Sequence, residues 1–284
     1  MRPIGLYELI DRAYPFRLRG NDNQQTNTGL IYRLPQLGVT SVSGVSGGGT
    51  GESAFAGIGL GYFRLHNRSG GAISMGIGVR IPNRFWKAGQ WVQADATPFT
   101  DDTDDAQDAG ANDFPLETTV TNSGCVLHSS VLFNAVSFDI GTASTGGGAV
   151  RAVRYSNAAG DGWTDSANLF LQDASSGDMA TGENLIVWAP QADWGLTQAA
   201  GLSGIPGGRY ALNLRATTAP ITAASANSLS LYRLYHLTEA VADNGTLETF
   251  PPAEEVMVPG DALVAFFQTA NNQNCVTALV RPRE

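Results

Sequence analysis

Between Val126 and Thr218 the chain alternates short apolar runs with clusters of Gly, Asn, Asp and Ser. It reads VLHSSVLFNAVSFDIGTAS, then AVRAVRYSNAAGDGW, ENLIVWAPQADWGL and IPGGRYALNLRAT. A globular helix needs apolar residues on a 3.6-residue period over about ten or more positions. Runs this short, punctuated by turn formers, read instead as antiparallel strands. Trp163, Trp188 and Trp194 sit at the ends of runs. The stretch is expected to form one antiparallel β-sandwich, jelly-roll-like, which the flanking sequence extends or tethers.

Composition agrees with an all-β chain. Of 284 residues, 34 are Gly and 13 Pro, which supplies many tight turns, while 43% hydrophobic content is too high for disorder. A net charge of -9 argues against nucleic acid as a partner, because phosphate binding rests on a basic surface. Lys87 is the single lysine. The N-terminus lacks the apolar core of a signal peptide, and no run approaches the roughly 18 apolar residues of a membrane-spanning helix. The expectation is a soluble protein made in a cytoplasm, with Cys125 and Cys275 as buried reduced thiols. Asn67-Arg68-Ser69 and Asn244-Gly245-Thr246 read as turns.

Four regions follow in order. Residues 1–50 form an extended arm, polar and Gly-rich after LYELIDRA, whose Leu6, Leu9, Ile10 and Ala13 predict about two turns of helix. Leu30, Ile31, Tyr32 and Leu34 are its apolar anchors. In 51–125, Ile73, Met75, Ile77, Val79 and Ile81 alternate strictly, as one buried strand face requires. The preceding run AFAGIGLGYFRLH alternates too, so Asn67–Gly71 is expected to close a hairpin between them. The glycines of both runs hint at close packing. TDDTDDAQDAGAND then reads as a solvated acidic loop, since like charges repel one another. Residues 126–218 are the central sandwich. Residues 219–284 supply a long Leu- and Tyr-rich strand and two final strands, 262–269 and 275–281, which pack with 51–125.

No catalytic residues are nominated. Gly44-Val45-Ser46-Gly47-Gly48 matches the nucleophile-elbow pattern, but GGGTGE after the serine does not start the helix an elbow needs. Asp102, Asp105 and Asp108 are the first choices if the acidic run holds a cation, although the ligand spacing of a calcium loop is missing. Asp161, Asp165, Glu183 and Asp193 lie near tryptophans and are the carboxylates a hydrolase would use. His66, His128 and His236 stand alone, without metal-ligand spacing. No cofactor is expected.

The acidic run ending FPLETT, the following GCVLHSSVLFNAVSFDIGTAS, and the AVRYSNAAGDGW, VWAPQADW and GGRYALNLRATT segments resemble virion structural proteins of tailed bacteriophages over about residues 100–218. The resemblance implies a sandwich or jelly-roll that decorates or cements a capsid. Its expected partners are copies of itself, as a trimer, and the major capsid protein or other virion proteins, with neither nucleic acid nor membrane. The expected location is the virion, and the arm either adds a strand to a neighbour or packs on its own domain. The alternative expectation is a tail or fibre component that binds host glycans through Trp163, Trp188 or Trp194.

Overall fold

The structure, a computed structural model, describes residues 14–19, 30–33, 58–93, 95, 97–108, 110, 113–146, 151–166, 170–173, 181–189, 191–249, 263–268 and 275–282. Among these the chain is antiparallel β with one short helix. It divides into two units: Ile81–Arg233 is one, and Met1–Arg80 with Leu234–Glu284 is the other. The first four strands are β1 (Tyr14–Arg19), β2 (Leu30–Arg33), β3 (Ile58–His66) and β4 (Ile73–Arg80). The inserted unit then contributes β5 (Trp86–Trp91), β6 (Phe99–Asp101), α1 (Thr103–Gln107), β7 (Phe114–Pro115), β8 (Ser123–Ser129) and β9 (Ala135–Thr142). It continues through β10 (Arg151–Ser156), β11 (Trp163–Ser166), β12 (Phe170–Asp173), β13 (Gly182–Trp188) and β14 (Tyr210–Ala216). The long β15 (Ser225–Val241) crosses the unit boundary, and β16 (Thr246–Thr249), β17 (Leu263–Phe267) and β18 (Cys275–Pro282) follow.

The inserted unit is a sandwich. One sheet runs β11-β10-β14-β8-β5-β6, and the other is the β12-β13-β9-β15 end of an eight-stranded sheet that continues through β4, β17 and β2, with β7 paired to β15. Because strand side chains alternate in direction, each strand gives every second residue to the core. Trp86, Ala88, Cys125, Leu127, Val153, Tyr155, Leu212 and Leu214 come from the first sheet. Val136, Phe138, Ile140, Ile186, Trp188, Leu229 and Leu231 come from the second, in the same apolar cluster. Interdigitation of two inner faces is what defines the architecture. The unit is longer than the Val126–Thr218 stretch, since β5, β6 and the first half of β15 complete its sheets.

The acidic run is not wholly a loop. Residues Thr103–Gln107 turn into α1, because Ala106 is fully buried in the core cluster and the ends are tied to β5. Thr103 Oγ1 donates to the Ala88 carbonyl, and Gln107 Nε2 donates to the carbonyls of Asn83 and Trp86.

In the other unit, β3 and β4 are not a hairpin. β3 pairs with β18 and β16, with β1 beyond β18, whereas β4 pairs with β17 and β17 with β2. Residues 67–72 therefore make a corner between sheets, built on Asn67, which is fully buried. Asn67 Nδ2 lies 2.7–3.0 Å from the carbonyls of Gly71, Val241 and Ala242, and its Oδ1 accepts from the Ser69 amide and hydroxyl. Gly76 and Gly78 are buried and in register with Phe266 and Val264 of β17. The Asn244 turn holds φ at 63°, a conformation asparagine tolerates better than most residues.

Residues 30–33, nominated as an arm that reaches a neighbouring subunit, are laid along their own chain: Leu30, Ile31, Tyr32 and Arg33 pair with Phe267, Phe266, Ala265 and Val264. Leu34, the helix expected before Tyr14, and the Gly44–Gly48 pattern lie outside the described residues.

Candidate functional site

Two of the three candidate tryptophans belong to the core. Trp188 is fully buried and Trp194 nearly so. Trp188 meets Phe133 edge-to-face at 5.6 Å, and Trp194 lies 5.2 Å from Phe133, 5.9 Å from Tyr155 and 6.1 Å from Tyr210. Trp194 Nε1 donates to the Ala211 carbonyl. Neither ring has a face free for a sugar, so the expectation of a surface role for Trp188 and Trp194 is corrected.

Trp163 is different. It lies on the edge strand β11, half-buried, on the outer face of the six-stranded sheet. That face carries a second small apolar cluster of Trp91, Val126, Ile205 and Ala211, with Phe99 and Trp163 packed against it. Trp91 and Trp163 meet edge-to-face at 5.6 Å. The Arg154 guanidinium lies 4.7 Å from the Trp91 ring centre and 4.9 Å from that of Trp163, within cation–π range of both. Register places Arg154 opposite Asn213 on one side and Asp165 on the other. Asp165 is ion-paired with Arg215. Burial, and then the neighbouring Arg215 charge, brings the Arg154 pKa down to about 10, with Asp165 opposing.

His128 and Asn213 occupy the same face, both fully buried. Among the described residues, both ring nitrogens of His128 and both amide atoms of Asn213 lack a hydrogen-bond partner. Phe99 covers His128 edge-on at 5.6 Å. Burial, reinforced by Arg209 and Lys87 and opposed by Asp101, lowers the His128 pKa to about 4. An unfolded histidine titrates near 6.5, so between these values the unfolded chain binds a proton that the folded chain refuses. Stability is therefore full above pH 6.5 and falls with pH, by up to about 3 kcal/mol at pH 4. Urea unfolding of wild type and His128→Phe across that window is expected to show a shallower slope in the variant. Parallel profiles would remove His128 as the cause.

The acidic run borders a cleft of about 460 Å³, lined by Asn83, Arg84, Trp86, Lys87 and α1. Lys87 Nζ lies 2.7 Å from Asp101 Oδ2. Partial burial pushes the Asp101 carboxyl up, but hydrogen bonds from Lys87 and Thr103 outweigh it and leave the pKa below its ordinary value. Asp102 Oδ2 accepts the Gln90 amide. The Asp105 pKa is raised by slight desolvation and by the carboxylates of Asp113, Asp102, Asp104 and Asp108. Among the described residues no three His, Cys, Asp or Glu side chains are grouped to hold a metal, and Asp108 turns back to its own loop through the Gly110 amide.

The hydrolase carboxylates are dispersed. Asp161 accepts from Asn157, Asp165 pairs with Arg215, and Asp193 accepts the Tyr155 hydroxyl at 2.9 Å. Glu183 lies in β13 of the opposite sheet, in register with Asp139. Sequence reasoning missed Arg154 and Trp91 as neighbours of Trp163, and Asn213 as the cross-strand partner of Arg154. The only signal was parity: each is on the outward phase of its strand. No family model matches this chain, and no curated protein or solved structure is significantly similar to it.

Proposed function

We propose that this chain is a non-enzymatic structural component of a tailed-phage particle, a rigid subunit that decorates or stabilises the capsid. One observation carries this reading: the residues behind the resemblance to virion proteins are those that build the sandwich. Tyr155 and Asp193 are hydrogen-bonded, and Trp194 and Tyr210 pack together. Asn157 Oδ1 accepts the amides of Gly160 and Asp161 and so closes the β10–β11 turn. A side chain on Gly160 would put its Cβ 2.0 Å from the Leu196 carbonyl oxygen, and one on Gly195 would put it 2.3 Å from that of Asn157. A motif spent on framework leaves function to the surface, and particle subunits associate by surface complementarity and symmetry. Its partners are then copies of itself and the major capsid protein, in a virion assembled in the host cytoplasm. Light scattering is expected to show a trimer, and adding the protein to undecorated heads is expected to raise their melting temperature. A monomer that leaves head stability unchanged would overturn the proposal.

A further inference from the structure

We propose that the outer face of the six-stranded sheet binds an acidic saccharide at Trp163, Arg154 and Arg215. The inference goes beyond the particle role and does not depend on it.

The first reason is charge. Arg215 has Asp165 as its partner, and that carboxylate side chain is 74% exposed. Arg154 has no carboxylate bonded to it: its Nη2 contact is the neutral Gln93 Oε1 at 3.5 Å. The nearby Asp165 carboxylate is held by Arg215, so the half-buried Arg154 cation is only partly compensated, and a ligand anion removes the remaining cost. The chain as a whole is acidic, so a local excess of guanidinium selects an anion against the general repulsion.

The second reason is the set of unmade hydrogen bonds. Arg154 pairs across the ladder with Asn213, and Arg215 sits two positions further along β14 on the same face. The Nε atoms of both arginines, the Trp163 indole Nε1 and both ends of the Asn213 amide are buried without partners among the described residues. Buried polar groups are nearly always satisfied, so this density of orphans marks a place where outside oxygens belong.

The third reason is shape. The partly buried Trp163 on an edge strand, with the Arg154 guanidinium over its ring, supplies an apolar ring next to that guanidinium, and Arg215 lies on the same face. A uronate-type sugar matches all three features. Its C–H face stacks on the indole and its carboxylate takes the arginines. A simple anion uses only the arginines, and an acidic peptide lacks the ring face.

The test is titration of the full chain with oligogalacturonate, neutral oligogalactose, inorganic phosphate and poly-glutamate, followed by tryptophan fluorescence. The uronate alone is expected to shift the emission, with salt-sensitive affinity. Arg215→Gln is expected to weaken binding about tenfold or more. Asp165→Asn, at a mostly solvent-exposed carboxylate, frees Arg215 and is expected to tighten binding about threefold. That gain separates ligand contact from a merely structural role, because loss of a structural ion pair has no reason to raise affinity. No response to the uronate, an equal response to any other probe, or unchanged or weaker binding by Asp165→Asn would overturn the assignment.

Discussion

Trp188→Ala is expected to destabilise the sandwich unit by about 3–5 kcal/mol, the range for deleting a large buried aromatic. Trp188 is fully buried between the sheets, and its loss removes the edge-to-face contact with Phe133 and the packing on Trp194, 6.2 Å away. Neighbours fixed in two hydrogen-bonded sheets cannot collapse far into the hole, which puts the cost toward the upper end. Trp188→Phe is expected to lose much less, since it keeps most of the apolar volume and removes an indole N–H that has no partner. Trp163→Ala, at a partly buried edge position, is expected to cost clearly less, about 1–2 kcal/mol. Urea midpoints for the three variants give the ranking. Equal costs for Trp188→Ala and Trp163→Ala would contradict the division between core and face.

Asn67→Asp is expected to cost the other unit about 3–5 kcal/mol, the scale of an uncompensated buried charge. The amide nitrogen faces three carbonyl oxygens, from Gly71, Val241 and Ala242. A carboxylate oxygen in its place turns each attraction into a repulsion, in a site without solvent access. Asn67→Ala is expected to cost somewhat less, about 2–4 kcal/mol, because it leaves carbonyls and the Ser69 amide unsatisfied but introduces no charge. Thermal unfolding monitored by a probe in this unit checks both, and an Asp variant within about 1 kcal/mol of wild type would show that the corner does not depend on its amide. The same burial closes the Asn67-Arg68-Ser69 site to modification in the folded chain.

What the sequence revealed, and what it hid, divides along locality. The alternation at Ile73–Ile81, the Leu- and Tyr-rich run that became β15, and the two final strands are local patterns, and each is a strand here. Pairing is not local. Asn67–Gly71 carries every sign of a hairpin turn, yet β3 and β4 take partners roughly 200 residues downstream, and no turn residue encodes that choice. The acidic run misleads in the opposite sense, because one small apolar residue, Ala106, outweighs the surrounding charges once β5 lies beneath it. For the site, a tryptophan at the end of a strand gives no indication of its face. Trp188 and Trp163 look alike in sequence but fall on opposite phases of their strands. Arg154, Asn213 and His128 come together from three strands that only the ladder register aligns.

The division of the chain also sets an order of events during synthesis. The inserted unit is one continuous segment, Ile81–Arg233, and every strand of its six-stranded sheet lies within it. The other unit is split: β3 and β4 leave the ribosome early, but β17 and β18 are made last. Until then each of the two early strands keeps an unpaired backbone edge, and unpaired edges are templates for the wrong neighbour.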